Sequence, residues 1–103
     1  MISMSLSKAA TVTEATLSGD DVVFSGCSTD SRTIETGNLF IALTGEKFNG
    51  HDYVAVAEQQ GASSLMLEQE VEHELPVLKV DNTRRAMGLL ARSWREEMTI
   101  PVV

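Results

Sequence analysis

The chain has 103 residues, the size of one domain, which would bury roughly two-thirds of the surface that its unfolded form exposes. Its 43% hydrophobic and 22% charged residues suit a folded globular protein and exclude the depleted, highly charged composition of disorder. Eight Lys and Arg against fifteen Asp and Glu leave a formal charge of −7, which argues against nucleic acid or an anionic membrane surface as partner, and a lone cysteine excludes an internal disulfide.

The first residues, MISMSLSKAATVTEA, lack the basic start and continuous apolar run of a secretory signal. No stretch approaches the ~20 apolar residues of a membrane span. A reducing, cytoplasmic setting fits these features and the single Cys27. Within that opening, ISMSLSKAA reads as a short extended piece followed by one or two helical turns, with Ser5 or Ser7 as the N-cap. Next, DVVFSGCSTDSR starts as a β-branched and aromatic run and ends in Ser, Thr and Asp, so a strand is expected to stop near Ser28 at a polar loop. A turn at Thr36-Gly37-Asn38 leads to LFIAL, a continuous apolar run that suits a strand covered on both faces.

The polar loop TGEKFNGHD follows, then a short helix over 52–60 with Tyr53, Val56 and Ala57 on its apolar face and Gly61 as C-cap. SSLMLE and PVLKV are strands joined by the acid-rich connection EVEHEL, which reads as a solvated loop. From Asn82 to Met98 the pattern is helical, with Asn82 as cap and Ala86, Leu90, Ala91 and Trp94 on one face; IPVV reads as the first half of a buried strand. This order predicts an α/β domain, three layers deep (α/β/α), with helices on both faces of a mixed, largely parallel sheet. Parallel strands bring their polar loops to one sheet edge, where such folds bind ligands.

Two of those loops carry candidate chemistry. Cys27-Ser28-Thr29-Asp30-Ser31-Arg32 offers three hydroxyls and a guanidinium, a donor set suited to a pyrophosphate or ribose. Thr44 to Asp52 offers two glycines for close backbone approach, Phe48 for stacking on a flat base, and Lys47 as a point charge. Each loop also has a purely structural reading. In the first, Asp30 and Ser31 satisfy local backbone N–H groups and Arg32 pairs with Asp30. In the second, Phe48 or Tyr53 tucks into the core while His51 and Asp52 cap the helix. Cys27 reads as a small core residue, His51 and His73 complete no metal set, and the arginines of the last helix are balanced by nearby acids. No G-x-x-x-x-G-K-[ST] phosphate loop occurs.

STDSR at 28–32, GNLFIALTGEKFNGHDY at 37–53, GASSLMLE at 61–68 and VDNTRRAMGLLARSWR at 80–95 together resemble the N-terminal domain of the Mur ligases of the MurE and MurF type, over essentially the whole chain. The opening MISMSL and the wording GEKFNGHDY are closer to the MurF type. The resemblance implies a bacterial, cytoplasmic, peptidoglycan-precursor ligase whose first domain, here 1–98, holds the UDP end of UDP-N-acetylmuramoyl-tripeptide. It further implies that 99–103 begins a central domain carrying ATP and Mg, a partner of the first domain absent from this sequence. This piece alone is then expected to be inactive, to take no cofactor, and to contact neither nucleic acid nor membrane. Carried over from the MurE pattern, the uracil and diphosphate contacts fall on Thr29, Ser31, Glu46, Lys47 and Phe48, although MurE-type chains have other residues at the last three positions. Arg32 joins the set on its charge. A stand-alone nucleotide-binding module and an interaction domain without a small ligand are the alternatives from other classes.

Overall fold

The computed structural model describes residues 3–45 and 49–97, the side chains of 94–97 excepted. The expected strand IPVV, the boundary at 98/99, the packing of Trp94, and Glu46, Lys47 and Phe48 lie outside the described residues.

Strand β1 (Ser3–Ser5) runs directly into helix α1 (Leu6–Thr13), where Ser5 is the N-cap and its hydroxyl accepts from the Lys8 N–H. Strand β2 (Thr16–Ser18) follows; three residues give too little alternation to be visible in the sequence. The run expected as one strand is two, β3 (Val23–Ser25) and β4 (Cys27–Ser28). Gly26 divides them at φ +71, a left-handed conformation that lets the chain leave one sheet and enter another. β3 pairs with β1 in an antiparallel ribbon, while β4 joins the main sheet beside β5 (Leu39–Ile41).

The chain then passes through a 3-10 helix (Gly50–Tyr53) into α2 (Val54–Gln60), which ends at Gly61 in the left-handed conformation, as its C-cap role requires. Strands β6 (Ser64–Leu67) and β7 (Val77–Lys79) and helix α3 (Thr83–Glu97) complete the order. Asn82 caps α3 by accepting from the Arg85 N–H at 3.0 Å.

The sheet runs β2-β7-β6-β5-β4, with the four strands from β7 to β4 parallel and β2 antiparallel at one edge. Period-two alternation sends Leu39 and Ile41 of β5 to one face and Phe40 to the other. On the first face Leu6 and Ala9 of α1 and Ala86 and Leu90 of α3 pack on Leu39, Ile41, Met66 and Leu78. On the second, Val54 and Ala57 of α2 pack on Phe40, Leu65, Leu67 and Val77. The domain is therefore the three-layer α/β/α fold with a mixed, largely parallel sheet, and burying each large side chain contributes roughly 1.5–3 kcal/mol.

Two helix faces differ from the expectation. The buried stripe of α2 is Val54 and Ala57, while Tyr53 and Val56 are exposed, because the 3-10 helix before it shifts the phase of the turn. In α3, Ala86 and Leu90 are buried, but Ala91 faces solvent. The parallel strands aim their carboxyl ends along one edge, from which the loops at 29–33, 43–51, 68–71 and 80–83 emerge.

Candidate functional site

The first loop is a self-contained turn. Asp30 caps a 3-10 helix (Ser31–Thr33), its Oδ1 accepting from the Arg32 N–H at 2.8 Å. The Ser28 Oγ accepts from the Asp30 N–H at 3.1 Å and donates to the Asp30 carbonyl at 3.0 Å. Arg32 returns over the turn, donating from Nε to Asp30 Oδ1 at 3.0 Å and from Nη2 to Oδ2 at 2.8 Å. That fork holds the Asp30 carboxyl down to about 2 and raises the Arg32 guanidinium, so both groups stay charged.

The structural reading of this loop is therefore correct for Asp30 and Arg32, with Ser28 rather than Ser31 as the second turn-forming side chain. Ser31 is buried, at 6% exposure, and not on an exposed loop surface. Among the described residues its hydroxyl has no hydrogen-bond partner.

Thr29, Asp30, Ser31 and Arg32 form one wall of a cleft of about 480 Å³. Among the described residues, Phe40, Leu43 and Tyr53 form the rest. A mostly apolar cavity with a few convergent polar groups is the usual form of a small-molecule site, and the volume lies within the ~300–1,000 Å³ range of such pockets. Three nominated residues, Thr29, Ser31 and Arg32, are thus brought together, whereas Glu46, Lys47 and Phe48 lie outside the described residues. Phe40, Leu43 and Tyr53 went unnominated, because Phe40 and Leu43 sit in an apolar run that reads as core. For Tyr53 the signal was its place at the end of a polar loop, masked by an apparent helical stripe.

The second loop is closed at its base and tied down at a distance. Thr44 and Asn49 form an isolated antiparallel bridge, and the Gly50 N–H donates to the Leu43 carbonyl at 2.6 Å. A Cβ on Gly50 would stand 2.7 Å from the Leu43 nitrogen and 2.8 Å from its oxygen, so only glycine permits this approach. Asn49, not His51 or Asp52, caps the 3-10 helix by accepting from the His51 N–H at 3.0 Å. His51 itself is buried; its Nε2 accepts from the N–H groups of Glu68 at 2.9 Å and Gln69 at 3.1 Å, and its Nδ1 lies 2.8 Å from Asn49 Oδ1. Burial lowers its pKa below the ordinary value of 6.5. Glu68 also accepts from the Thr83 N–H and Oγ1, both at 2.7 Å, and Arg84 donates to the Thr44 carbonyl at 3.2 Å.

Cys27 is half-buried and burial pushes its thiol pKa up, which disfavours the reactive thiolate. Among the described residues no group of His, Cys, Asp and Glu is arranged to hold a metal ion, and no helix is long and apolar enough to cross a membrane.

A family model described as "Mur ligase family, catalytic domain" matches residues 23–95. The UDP-N-acetylmuramoyl-tripeptide--D-alanyl-D-alanine ligase of Escherichia coli (strain K12) is 37% identical over 103 residues, which is 100% of this chain and 23% of that protein. The UDP-N-acetylmuramoyl-L-alanyl-D-glutamate--2,6-diaminopimelate ligase of Bacillus licheniformis is 36% identical over 70 residues, or 68% of this chain and 14% of that protein. A crystal structure of MurF from Acinetobacter baumannii superposes with a TM-score of 0.87 at 27% identity, over 96% of this chain and 22% of that one. The chain thus spans less than a quarter of the length of these relatives.

Proposed function

The chain belongs to the Mur ligase family, as an N-terminal domain like that of the MurF ligases, and on that premise we propose that its cleft holds the uridine-diphosphate end of UDP-N-acetylmuramoyl-tripeptide. The observation that carries this reading is the Ser31 hydroxyl, buried and without a partner among the described residues, at the polar wall of a cleft whose other side includes Phe40, Leu43 and Tyr53. A uracil ring matches both walls, with flat faces for the apolar side and edge carbonyls that accept from hydroxyls. Thr29 supplies a second hydroxyl. Arg32 at the rim commits Nε and one Nη2 donor to Asp30, and its remaining N–H groups serve the diphosphate.

In this reading the domain binds and orients, and contributes no group to bond making. The parent enzyme is an ATP-dependent ligase of peptidoglycan precursor synthesis, acting in the cytoplasm. Its central domain, the partner of this one, would bind ATP and Mg, activate the substrate carboxylate as an acyl phosphate, and let the amine of D-alanyl-D-alanine displace phosphate. The absence of a phosphate-loop sequence from these 103 residues supports that division of labour.

The test is an NMR titration of the chain with UDP and with UDP-N-acetylmuramoyl-tripeptide. Saturable shifts at the amides of 28–32, 43 and 53 are expected. Shifts confined to other surfaces, or none at millimolar ligand either here or in a longer chain carrying the central domain, would overturn the assignment.

A further inference from the structure

We propose that His51 is a positioning residue for the cleft, a buried imidazole clamp that fixes the wall residues Leu43 and Tyr53 by joining the end of β5 to the end of β6. The ligand readout below rests on the uridine-nucleotide reading, whereas the clamp is tested without ligand.

Three links meet at this ring. Its Nε2 accepts from two successive backbone N–H groups, of Glu68 and Gln69, just after β6. Its Nδ1 donates to Asn49 Oδ1, and Asn49 bridges back to Thr44 after β5. Gly50, the next residue, hydrogen-bonds Leu43, while Tyr53 ends the same 3-10 helix that His51 occupies. Leu43 and Tyr53 both line the cleft. A buried position that must accept at one end and donate at the other suits one side chain well, a neutral imidazole with its proton on Nδ1.

Protonation would put a third N–H where Glu68 and Gln69 already point theirs, and the clamp would open. The charged neighbours divide: Glu68 after β6 and Asp52 on the same 3-10 helix favour the charged ring, Lys79 on β7 opposes it, and burial outweighs them, setting the pKa below 6.5. Because the folded value lies below the unfolded one, the clamp's contribution is complete above about pH 6.5 and is lost as pH falls through the folded value.

The experiment is NMR on the labelled chain, following the His51 ring nitrogens and the amides of Leu43, Tyr53, Glu68 and Gln69 against pH, with UDP as the probe ligand. The ring is expected as the Nδ1–H tautomer near neutral pH, with all four amides sharing its midpoint. If the open form does not bind, UDP affinity falls about twofold at that midpoint and about tenfold one pH unit lower. His51→Gln retains a distal acceptor without a titrating proton, so its cleft amides and UDP affinity should resemble the neutral wild type and lose this pH dependence. An Nε2–H tautomer, cleft amides that titrate alike in His51→Gln, or UDP affinity indifferent to His51 protonation would each overturn the clamp. Should His51→Gln not fold, the wild-type midpoints decide, coincident values supporting the clamp and separate ones sinking it. If the ring and amides behave as expected but UDP binds at no pH, the uridine reading fails and the clamp stands.

Discussion

The loop at 28–33 fastens to itself, whereas the loop at 43–51 fastens to distant parts of the chain. In the first, each hydrogen bond between Ser28, Asp30, Arg32 and Thr33 joins residues at most five apart. In the second, His51 reaches residues 17 and 18 positions away, and Arg84 reaches Thr44 across 40. One cleft wall is therefore set by local turn chemistry, while the other inherits its shape from the sheet edge. Damage to the first loop should stay local, and damage to the second should spread.

The strongest test of that asymmetry is Gly50→Ala. Its Cβ would meet backbone atoms of Leu43 and Ala42 at 2.7 to 3.0 Å, which no rotamer change can relieve. A loss of about 3 kcal/mol in urea unfolding is expected, the upper end of overpacking effects. Unchanged stability would mean that the second loop does not depend on this approach. Next in size is Thr83→Val, which removes a buried hydroxyl from Glu68 but keeps the Thr83 N–H bond. It should lower stability by about 1–2 kcal/mol. The Glu68 and Gln69 amides should move with it, since His51 is bound to both; shifts limited to the start of α3 would show that the network does not transmit.

The same contrast explains what could be read from the residues alone. Ser5, Gly61 and Asn82 act as caps through neighbours within a turn, and the apolar runs of β5 and β6 declare burial on both faces by composition. The Asp30 and Arg32 pairing was legible for the same reason. By contrast, the split at Gly26 depends on two sheets competing for one run, and the outward turn of Tyr53 on a 3-10 start that shifts the helix phase. The link from His51 to Glu68 joins residues whose proximity exists only once β5 and β6 pair, so no local pattern announces it. The burial of Ser31 was not legible, because it comes from packing around the cleft and not from its neighbours in sequence.

Ser31→Ala separates binding from folding on the local side. The hydroxyl has no partner among the described residues, so its removal should leave the unfolding midpoint in place or raise it slightly. UDP affinity should fall about twofold to tenfold, the worth of one neutral hydrogen bond. A variant that unfolds while binding per folded molecule is unchanged would assign Ser31 to the turn alone.

The smallest effect on stability is expected from Arg32→Ala, whose side chain is 86% exposed. Its ion pair with Asp30 is solvent-screened, and the Asp30 side chain keeps its bond to the backbone N–H of residue 32. The unfolding midpoint near neutral pH should therefore fall only slightly. The Asp30 carboxyl, followed by carbon NMR, should rise from about 2 toward 3.8 without returning fully, because the backbone bond remains. A depressed carboxyl pKa contributes stability above the unfolded value and loses it as pH falls through the folded one, so any difference between wild type and variant should be present above about pH 4 and vanish as pH falls toward about 2. A variant that shifted the amides of the second loop would show that the two walls are coupled.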